Sequence, residues 1–306
     1  MKSEKPSLVF FGSGPVAARS LSLLMQEFEV EAIITKPTTK ADMEAVAGGV
    51  PVLCASNKLE LSKLFETHSF KSKVGVLIDF GIIVEQDIID YFELGIVNSH
   101  FSILPELRGA DPISFAILEG RKTTGVSLML LVRGMDEGPI LITREITLTD
   151  TDSAVELSTK LIQLSHSMLT DVLPKYLSGG IEPVPQDTGL TTPTYTRKLT
   201  KQDGLIDWNK DAVTIEREIR AFIEWPKSRT KLGEIEVVIT QAYSDLSITA
   251  GLRPGEVQIV PNVNLLRVVT KNGFLYIQKL KPVGKNEMDC IAFINGYKDR
   301  IFNIQE

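Results

Sequence analysis

The fold of this chain is indicated by residues 8–17, whose sequence is LVFFGSGPVA. Four apolar residues, Leu8 to Phe11, predict a buried strand. The glycine-containing turn that follows leads into a helix that Pro15 opens at its first turn. A strand, a tight turn and a helix in this order are the first unit of an α/β fold, so we predict a helix-covered sheet.

The same alternation of apolar strands and helical patterns continues through residues 1–182. Further strands are predicted at 30–35, 74–78, 95–98 and 126–131, and helices near 57–67, 85–92, 111–119 and 153–177. This alternation predicts an α/β domain over 1–182, with a Rossmann-like, mostly parallel sheet and helices on both faces. Gly179-Gly180 provides the stop signal for the long helix.

The pattern changes beyond residue 182. Residues 183–203 are rich in proline and threonine, which predicts a linker. Residues 204–306 contain one helical pattern, at 212–222, followed by short apolar runs between glycine and proline turns. Asn272-Gly273 between two such runs predicts a hairpin. We therefore predict a smaller, mostly-β, barrel-like C-terminal domain.

Composition limits the class of protein. The chain has 306 residues, of which 43% are hydrophobic and 24% charged, as in a globular protein with a sizeable core. Cys54 and Cys290 suggest no disulfide framework, so we expect a reducing, cytoplasmic setting. The short apolar run near the N terminus is too brief for a signal peptide, and no stretch is apolar enough to cross a membrane. We expect no membrane partner.

Charge argues against non-specific nucleic-acid binding over the whole surface, because the net charge is −6. The charge is unevenly distributed, however. Residues 251–300 contain 8 basic and 4 acidic side chains. This bias fits a solvated face as well as a surface that meets a polyanion.

The turn Gly12-Ser13-Gly14-Pro15-Val16-Ala17 fits the G-x-G-x-x-G/A pattern of dinucleotide sites. Such sites need an acidic residue at the end of the second strand to hold a ribose. Here that strand ends in Thr35-Lys36-Pro37, which offers no carboxylate. We interpret the motif as a tight strand-to-helix turn, with nicotinamide binding as the lesser alternative.

The candidate chemistry lies in Asn98-Ser99-His100, at the end of a predicted strand. Residues two apart on a strand share a face, so amide and imidazole can point into one pocket. An amide can stabilise a developing oxyanion, and a carboxylate can orient a histidine. Asp136, in the turn Gly134-Met135-Asp136-Glu137-Gly138, could complete a three-residue acyl-transfer site.

Other polar residues have less specific signals. His68 and His166 lie on helical patterns and read as ordinary helix residues, and no histidine pair has metal-ligand spacing, so we expect no metal. Arg108 fits structural bonding to loop carbonyls and anion binding equally well. Asn98 and Asp136 could also be a loop cap and a turn residue.

These residues resemble the 10-formyltetrahydrofolate-dependent formyltransferases: Asn98-x-His100, Leu104-Pro105-x-x-Arg108-Gly109, and Asp136 in its glycine-flanked turn. The downstream chain resembles the methionyl-tRNA formyltransferases. The segments that carry this second resemblance are Tyr195 to Trp208, Ile219 to Ser228 and Gly284 to Gly296.

The resemblance implies roles for individual residues. His100 would move protons, Asn98 would stabilise the tetrahedral oxyanion, and Asp136 would orient His100. The folate would contact Ile78, Phe80, Gly81, Ile82, Ile83, Gly134 and Glu137, largely through backbone groups. The acceptor would contact Lys36, Ser102, Leu104, Pro105 and Arg108. The resemblance also implies 10-formyltetrahydrofolate as co-substrate, initiator methionyl-tRNA as acceptor, and a monomer.

Two departures from the family pattern concern the acceptor. The segment 36–44 is short, with two lysines balanced by two carboxylates, which predicts a weaker grip on tRNA phosphates. Phe101 replaces the small residue expected after the histidine and could narrow the acceptor pocket. Three alternatives therefore stay open: formyl transfer to a nucleotide-linked amino sugar, 10-formyltetrahydrofolate hydrolysis, and a non-catalytic folate- or nucleotide-binding module.

Overall fold

The computed structural model describes residues 5–186, 189, 191–260 and 262–302. They form two compact units. The first comprises residues 1–112, 123–147 and 158–197, and the second comprises 113–122, 148–157 and 198–306. Two short segments from the first half of the sequence thus belong to the second unit. None of the helices in the described ranges combines the length and apolar composition needed to cross a bilayer.

The first unit is built on a seven-stranded sheet. The strands of this unit, in chain order, are β1 (Ser7–Gly12), β2 (Glu29–Thr35), β3 (Val52–Cys54), β4 (Gly75–Ile78), β5 (Ile96–His100), β6 (Arg108–Gly109), β7 (Thr123–Leu130), β8 (Ile140–Thr147) and β9 (Tyr195–Thr196). The large sheet has the order β3-β2-β1-β4-β5-β7-β8. Strands β1 to β5 pair in parallel, and β7 is antiparallel to both of its neighbours. The predicted mostly parallel sheet is confirmed.

Helices alternate with these strands as the sequence predicts. The α-helices in the described part of the chain are α1 (Pro15–Glu27), α2 (Lys40–Glu44), α3 (Lys58–Thr67), α4 (Gln86–Tyr91), α5 (Pro112–Leu118), α6 (Ala154–Leu177), α7 (Ala212–Ala221) and α8 (Cys290–Phe302). Alternate residues of the strands, such as Val9 and Phe11, face one buried cluster together with Leu61, Ile88 and Ile89 from α3 and α4. The core therefore lies between sheet and helices.

The turn after β1 confirms a structural role for its first glycine. A Cβ at Gly12 would lie 2.7 Å from the Ala17 Cβ and 2.9 Å from the Ile78 carbonyl oxygen. Only glycine allows helix α1 and strand β4 to approach this closely. Gly14 precedes α1 with φ of +92°, and Pro15 follows at the first helical position.

The second unit is an antiparallel sheet covered by two helices. Its strands are β10 (Ser228–Leu232), β11 (Ile235–Asp245), β12 (Val257–Val260), β13 (Leu265–Val269), β14 (Phe274–Pro282) and β15 (Met288–Asp289). The order is β10-β11-β14-β13-β12, with β15 beside β14. The predicted hairpin is confirmed, since Val269 pairs with Phe274 across the turn that contains Asn272-Gly273.

The prediction of a single helix in this domain is wrong. Helix α8 adds Phe293, Ile294 and Ile301 to the core, next to Ile215 and Ile219 of α7. The apolar residues of α8 follow helical spacing, but Gly296 interrupts them in sequence. Strands β3 and β8 of the first unit were also not predicted, because β3 is only three residues long and β8 is only partly buried.

Candidate active site

The centre of the candidate site is the carboxyl end of β5, next to the point where strand order reverses between β1 and β4. Open α/β sheets bind ligands at this edge. Asn98 pairs with Leu77 of β4 on one side and Met129 of β7 on the other, and His100 pairs with Ser127. Both side chains are buried. The sheet therefore holds amide and imidazole in fixed positions.

Asp136 meets both of these side chains, as the sequence predicts. The Asn98 Nδ2 donates to Asp136 Oδ1 at 3.2 Å. The His100 Nδ1 lies 3.7 Å from Asp136 Oδ2, which is an electrostatic contact longer than a direct hydrogen bond. The three residues thus form one cluster, although 36 residues separate His100 from Asp136 in the sequence.

The orientation of His100 is set by a group that sequence reasoning missed. The other ring nitrogen, Nε2, lies 2.9 Å from the Leu107 carbonyl oxygen. Because a carbonyl can only accept, Nε2 carries a proton, and Nδ1 is the ring nitrogen that faces Asp136. Leu107 has φ of +54°, and its N–H donates to the Thr194 hydroxyl oxygen at 2.8 Å.

The turn that carries Asp136 is tightly constrained. Asp136 has φ of +51°, which is uncommon for a residue other than glycine. Its Oδ2 accepts a hydrogen bond from the Gly109 backbone N–H at 2.7 Å. A Cβ at Gly138 would lie 1.7 Å from the Leu130 carbonyl oxygen, so only glycine fits there. The Asp136 carboxylate is therefore held in place by the tight backbone turn and by the hydrogen bonds to its oxygen atoms.

Arg108 is buried beside this turn and contacts three side chains. Its Nη2 and Nε donate to Gln186 Oε1 at 2.6 and 3.2 Å, and its Nη1 donates to the Tyr195 hydroxyl at 2.9 Å. Its Nη1 also lies 3.4 Å from Glu137 Oε1. These contacts are structural, but they are made with side chains and not with the loop carbonyls that the sequence suggested for Arg108. A direct role with the acceptor stays a prediction.

Gln186 is the second residue that sequence reasoning missed. Its Nε2 donates to the carbonyl oxygens of Asp136 at 2.7 Å and Gly138 at 2.9 Å. The predicted linker 183–203 also contacts the first unit: Val184 pairs with Ile140, and β9 pairs with Arg108. Its proline-rich composition gives no signal of these contacts. The parallel pairing of β6 with β9 can be seen only in the folded structure.

The other residues predicted to contact the acceptor support the loop after β5. The Ser102 hydroxyl donates to the Glu106 carbonyl at 2.7 Å, and the Leu104 N–H donates to the Ser127 hydroxyl at 3.0 Å. The Thr194 N–H donates to the Pro105 carbonyl at 3.3 Å. Phe101 is buried. Contact of these residues with an acceptor stays a prediction.

The segment after β4 forms the neighbouring part of the same sheet edge. Ile78 and Phe80 are buried, whereas the Ile83 side chain is 74% exposed. The Ser13 hydroxyl donates to the Phe80 carbonyl at 2.6 Å, which ties this segment to the turn after β1. The predicted folate contacts of these residues and of Gly81, Ile82, Gly134 and Glu137 stay predictions.

Asp79 gives this edge an unusual charge. Solvent reaches the residue, yet the surrounding protein desolvates its carboxyl group and raises its pKa to about 6. The nearby Asp111 carboxylate adds to the rise, and Lys36 opposes it. A Cβ at Gly81 would lie 2.7 Å from the Lys36 ammonium nitrogen, so Lys36 belongs to this cluster. Asp79 lies outside the sequence motifs that predict the site.

A metal site is not indicated in the part of the chain that the structure describes, where no group of three or more histidine, cysteine, aspartate or glutamate residues could hold an ion. The chemistry of the described site comes from an amide, an imidazole and a carboxylate. This set of groups can stabilise an oxyanion and move a proton, as acyl transfer requires, and it lies on a mostly parallel α/β sheet.

Family models narrow this class. A model described as "Formyl transferase" matches residues 17–173, and one described as "Formyl transferase, C-terminal domain" matches residues 198–298. The chain belongs to the formyltransferase family.

Similar curated proteins cover nearly the whole chain. The methionyl-tRNA formyltransferase of Myxococcus xanthus is 32% identical over 306 residues, which cover 96% of each protein. That of Roseiflexus sp. is 32% identical over 304 residues, covering 95% of this chain and 92% of that protein. That of Listeria monocytogenes serotype 4a is 30% identical over 301 residues, covering 94% and 95%.

Solved structures share the fold at lower identity. HypX from Aquifex aeolicus, in complex with tetrahydrofolic acid, is 15% identical with a TM-score of 0.66 over 99% of this chain. This chain spans about half the length of HypX, covering 49% of it. An N-formyltransferase from Helicobacter canadensis, in complex with folinic acid and dTDP-3-aminofucose, is 18% identical with a TM-score of 0.66, over 89% of this chain and 98% of that one.

Proposed function

We propose that this protein transfers the formyl group of 10-formyltetrahydrofolate to the amino group of initiator methionyl-tRNA. The observation that carries the proposal is the meeting of Asn98, His100 and Asp136 at the carboxyl edge of the sheet. The curated relatives named as methionyl-tRNA formyltransferases support this acceptor, since they match over nearly the whole chain.

The three side chains divide the chemistry. The acceptor nitrogen bonds to the formyl carbon, the bond between that carbon and the folate nitrogen breaks, and one proton moves from the acceptor nitrogen to the folate nitrogen. His100 accepts the proton at Nδ1 and returns it to the departing nitrogen. Asn98 has a second amide N–H, beyond the one bonded to Asp136, for the developing oxyanion. Asp136 stabilises the imidazolium.

The residues near the site suit a folate. A pterin ring is flat and carries hydrogen-bonding edges, so it needs apolar surface and backbone donors or acceptors. Ile83 offers exposed apolar surface at the sheet edge, and Gly81 beside it has φ of +64°. Glu137 is about half exposed next to Asp136. We propose that the segment 78–83 and the turn 134–138 hold the folate.

A nucleotide-linked amino sugar is the second candidate acceptor, and one observation favours it. The short segment after β2 folds into a 3₁₀ turn and the five-residue helix α2, where Lys40 pairs with Glu44 at 3.4 Å. This pairing reduces the positive charge available for tRNA phosphates. A sugar amine would use the same three catalytic residues.

The deciding experiment is formyl transfer from 10-formyltetrahydrofolate to charged initiator tRNA, with formylmethionine and tetrahydrofolate measured together. A second tube holds a dTDP-linked amino sugar in place of the tRNA, and a third holds no acceptor. We expect tRNA-dependent release of tetrahydrofolate with equal formylmethionine formation. Release with the sugar alone would select the second candidate, and release without any acceptor would identify a hydrolase.

We further propose that the protein acts as a monomer in the cytoplasm. Asn98, His100, Asp136 and the residues that hold them belong to one chain, so the site needs no second copy. Cys54 and Cys290 are free thiols, which fits a reducing compartment such as the cytoplasm. Light scattering of the purified protein at assay concentration checks the oligomeric state, and a dimer would contradict this proposal.

A further inference from the structure

We propose that Gln186 is a positioning residue for catalysis, because its side-chain amide holds the turn that carries Asp136 in register with His100 and Asn98. The inference rests on the formyl-transfer function proposed above. It assigns a catalytic contribution to a segment whose composition suggests only a connection between domains.

The hydrogen bonds of the Gln186 amide are fully used. Its oxygen accepts from two nitrogens of Arg108, and its Nε2 donates to the carbonyls of Asp136 and Gly138. An amide has two N–H groups, and each carbonyl contact takes one of them. Gln186 therefore joins Arg108 to the catalytic turn through a single rigid group.

The two ends of Asp136 are held by different parts of the chain. Gln186 holds its backbone carbonyl, and the Gly109 N–H holds its carboxylate. Gly109 follows Arg108 directly, so both attachments return to the strand β6. A residue with φ of +51° has few alternative turns available. Loss of the Gln186 bonds therefore allows the turn to relax and the carboxylate to rotate away from His100.

The carboxylate has little tolerance for such a movement. Its Oδ1 lies 3.2 Å from the Asn98 amide nitrogen, and its Oδ2 lies 3.7 Å from the His100 Nδ1. A displacement of about 1 Å in a catalytic constellation can cost about 100-fold in rate. We therefore expect a defect in the chemical step rather than in substrate binding.

The first test is the nearly isosteric substitution Gln186→Glu. The carboxylate still accepts from Arg108 but offers no N–H to the Asp136 and Gly138 carbonyls. We expect kcat for formyl transfer to fall about 10- to 100-fold. The KM for 10-formyltetrahydrofolate should stay within about threefold, and the melting temperature should stay above the assay temperature.

The matched control is Gln258→Glu in the second unit. The Gln258 oxygen also accepts from an arginine, Arg267 Nε at 2.9 Å, and its Nε2 donates to Glu256 Oε1 at 2.8 Å. The same chemical change is thus made at an arginine–glutamine contact far along the chain from the catalytic turn. We expect this variant to keep the wild-type kcat.

The second test separates positioning from general stability. Gln186→Glu is combined with Asp136→Asn, and the four kcat values form a double-mutant cycle. If Gln186 acts through Asp136, Gln186→Glu should add less than about threefold to the loss that Asp136→Asn already causes. If Gln186→Glu does not fold at the assay temperature, Gln186→Leu takes its place in the cycle.

A kcat within threefold of wild type for Gln186→Glu, or additive losses in the cycle, would overturn the inference. Failure of the proposed function has a different signature, because the wild-type protein would then form no formylmethionine. In that case the same cycle is measured with the acceptor that the wild type does use.

Discussion

The two halves of the site are built in different ways. Asn98 and His100 stand on β5, in the interior of a seven-stranded sheet, where pairs on both sides set their position. Asp136 stands on a turn outside the strands, and its position depends on Gly109 and Gln186. The strand half comes from one continuous stretch, whereas the turn half gathers three separated segments.

This difference predicts how each half responds to substitution. A change on β5 removes a chemical group but leaves its neighbours in place, since the ladder of strand hydrogen bonds persists. A change near Asp136 removes support from a turn that has no ladder of its own. Substitutions on β5 should therefore lower kcat and leave the stability of the protein almost unchanged. Substitutions near Asp136 should lower both kcat and stability.

The largest effect is expected for His100→Ala. Removal of a general acid–base group lowers kcat by about 10²- to 10⁴-fold. Formylmethionine formation measures the loss, and the melting temperature should change by only a few degrees. His68→Ala, at the exposed end of α3, serves as the matched control with wild-type activity. Turnover of His100→Ala within tenfold of wild type would refute the assigned role.

A slightly smaller loss, about 10²- to 10³-fold, is expected for Asp136→Asn. Asparagine tolerates the left-handed backbone at this position and still accepts from the Gly109 N–H. Its single amide oxygen cannot also accept from Asn98 Nδ2, so the charge opposite His100 and that one hydrogen bond are lost. Asp136→Ala should lose a similar amount of activity and also some stability. Measurement of kcat and chemical unfolding for both variants tests this separation; equal stability losses would contradict it.

Arg108→Lys should affect both rate and stability. Lysine cannot reproduce the planar fork with which the buried Arg108 meets Gln186, Tyr195 and Glu137, so these hydrogen bonds are lost. We expect a loss of about 1–3 kcal/mol in the free energy of unfolding. We also expect a drop in kcat of about tenfold. An unchanged unfolding curve in urea would show that this network contributes nothing to stability.

The smallest effect is expected for Asp79→Asn, whose influence on the melting temperature should depend on pH. Its pKa rises from 3.8 to about 6 in the folded protein, so the folded state binds the proton more tightly between these values. The free energy of unfolding therefore falls as pH rises from about 4 to 6 because of this group. Asp79→Asn should raise the melting temperature at pH 7.5 and change it little at pH 4. An equal shift at both pH values would contradict the assignment.

Much of the fold could be predicted because its signals are local. Apolar runs and helix stop signals located most strands of the large sheet and the long helix α6. Helix α8 could not be predicted because Gly296 interrupts its apolar pattern. The apolar face of this helix is recognisable only from its packing against β13 and β14. Strand β8 escaped because its residues are half-buried, so they lack a clear alternation.

The residues of the candidate site also differ in whether local sequence signals predict them. Asn98 and His100 could be recognised from their spacing of two on one strand, and Asp136 from its glycine-flanked turn and the family resemblance. The Leu107 carbonyl could not be predicted, because no sequence pattern shows which backbone group will meet an imidazole. Gln186 could not be predicted either, since it lies 50 residues beyond Asp136 in a segment with linker composition.

By itself the sequence determined the class of fold, the placement of the candidate catalytic residues Asn98 and His100 on one strand, and the type of chemistry that they predict. These depend on periodicity and residue type, which act over a few neighbouring positions. Only the tertiary structure decided how Asp136 is held, which nitrogen of His100 meets the Leu107 carbonyl, and that burial raises the pKa of Asp79 to about 6. Those properties depend on distances between segments that are remote in the chain, and such distances exist only after folding.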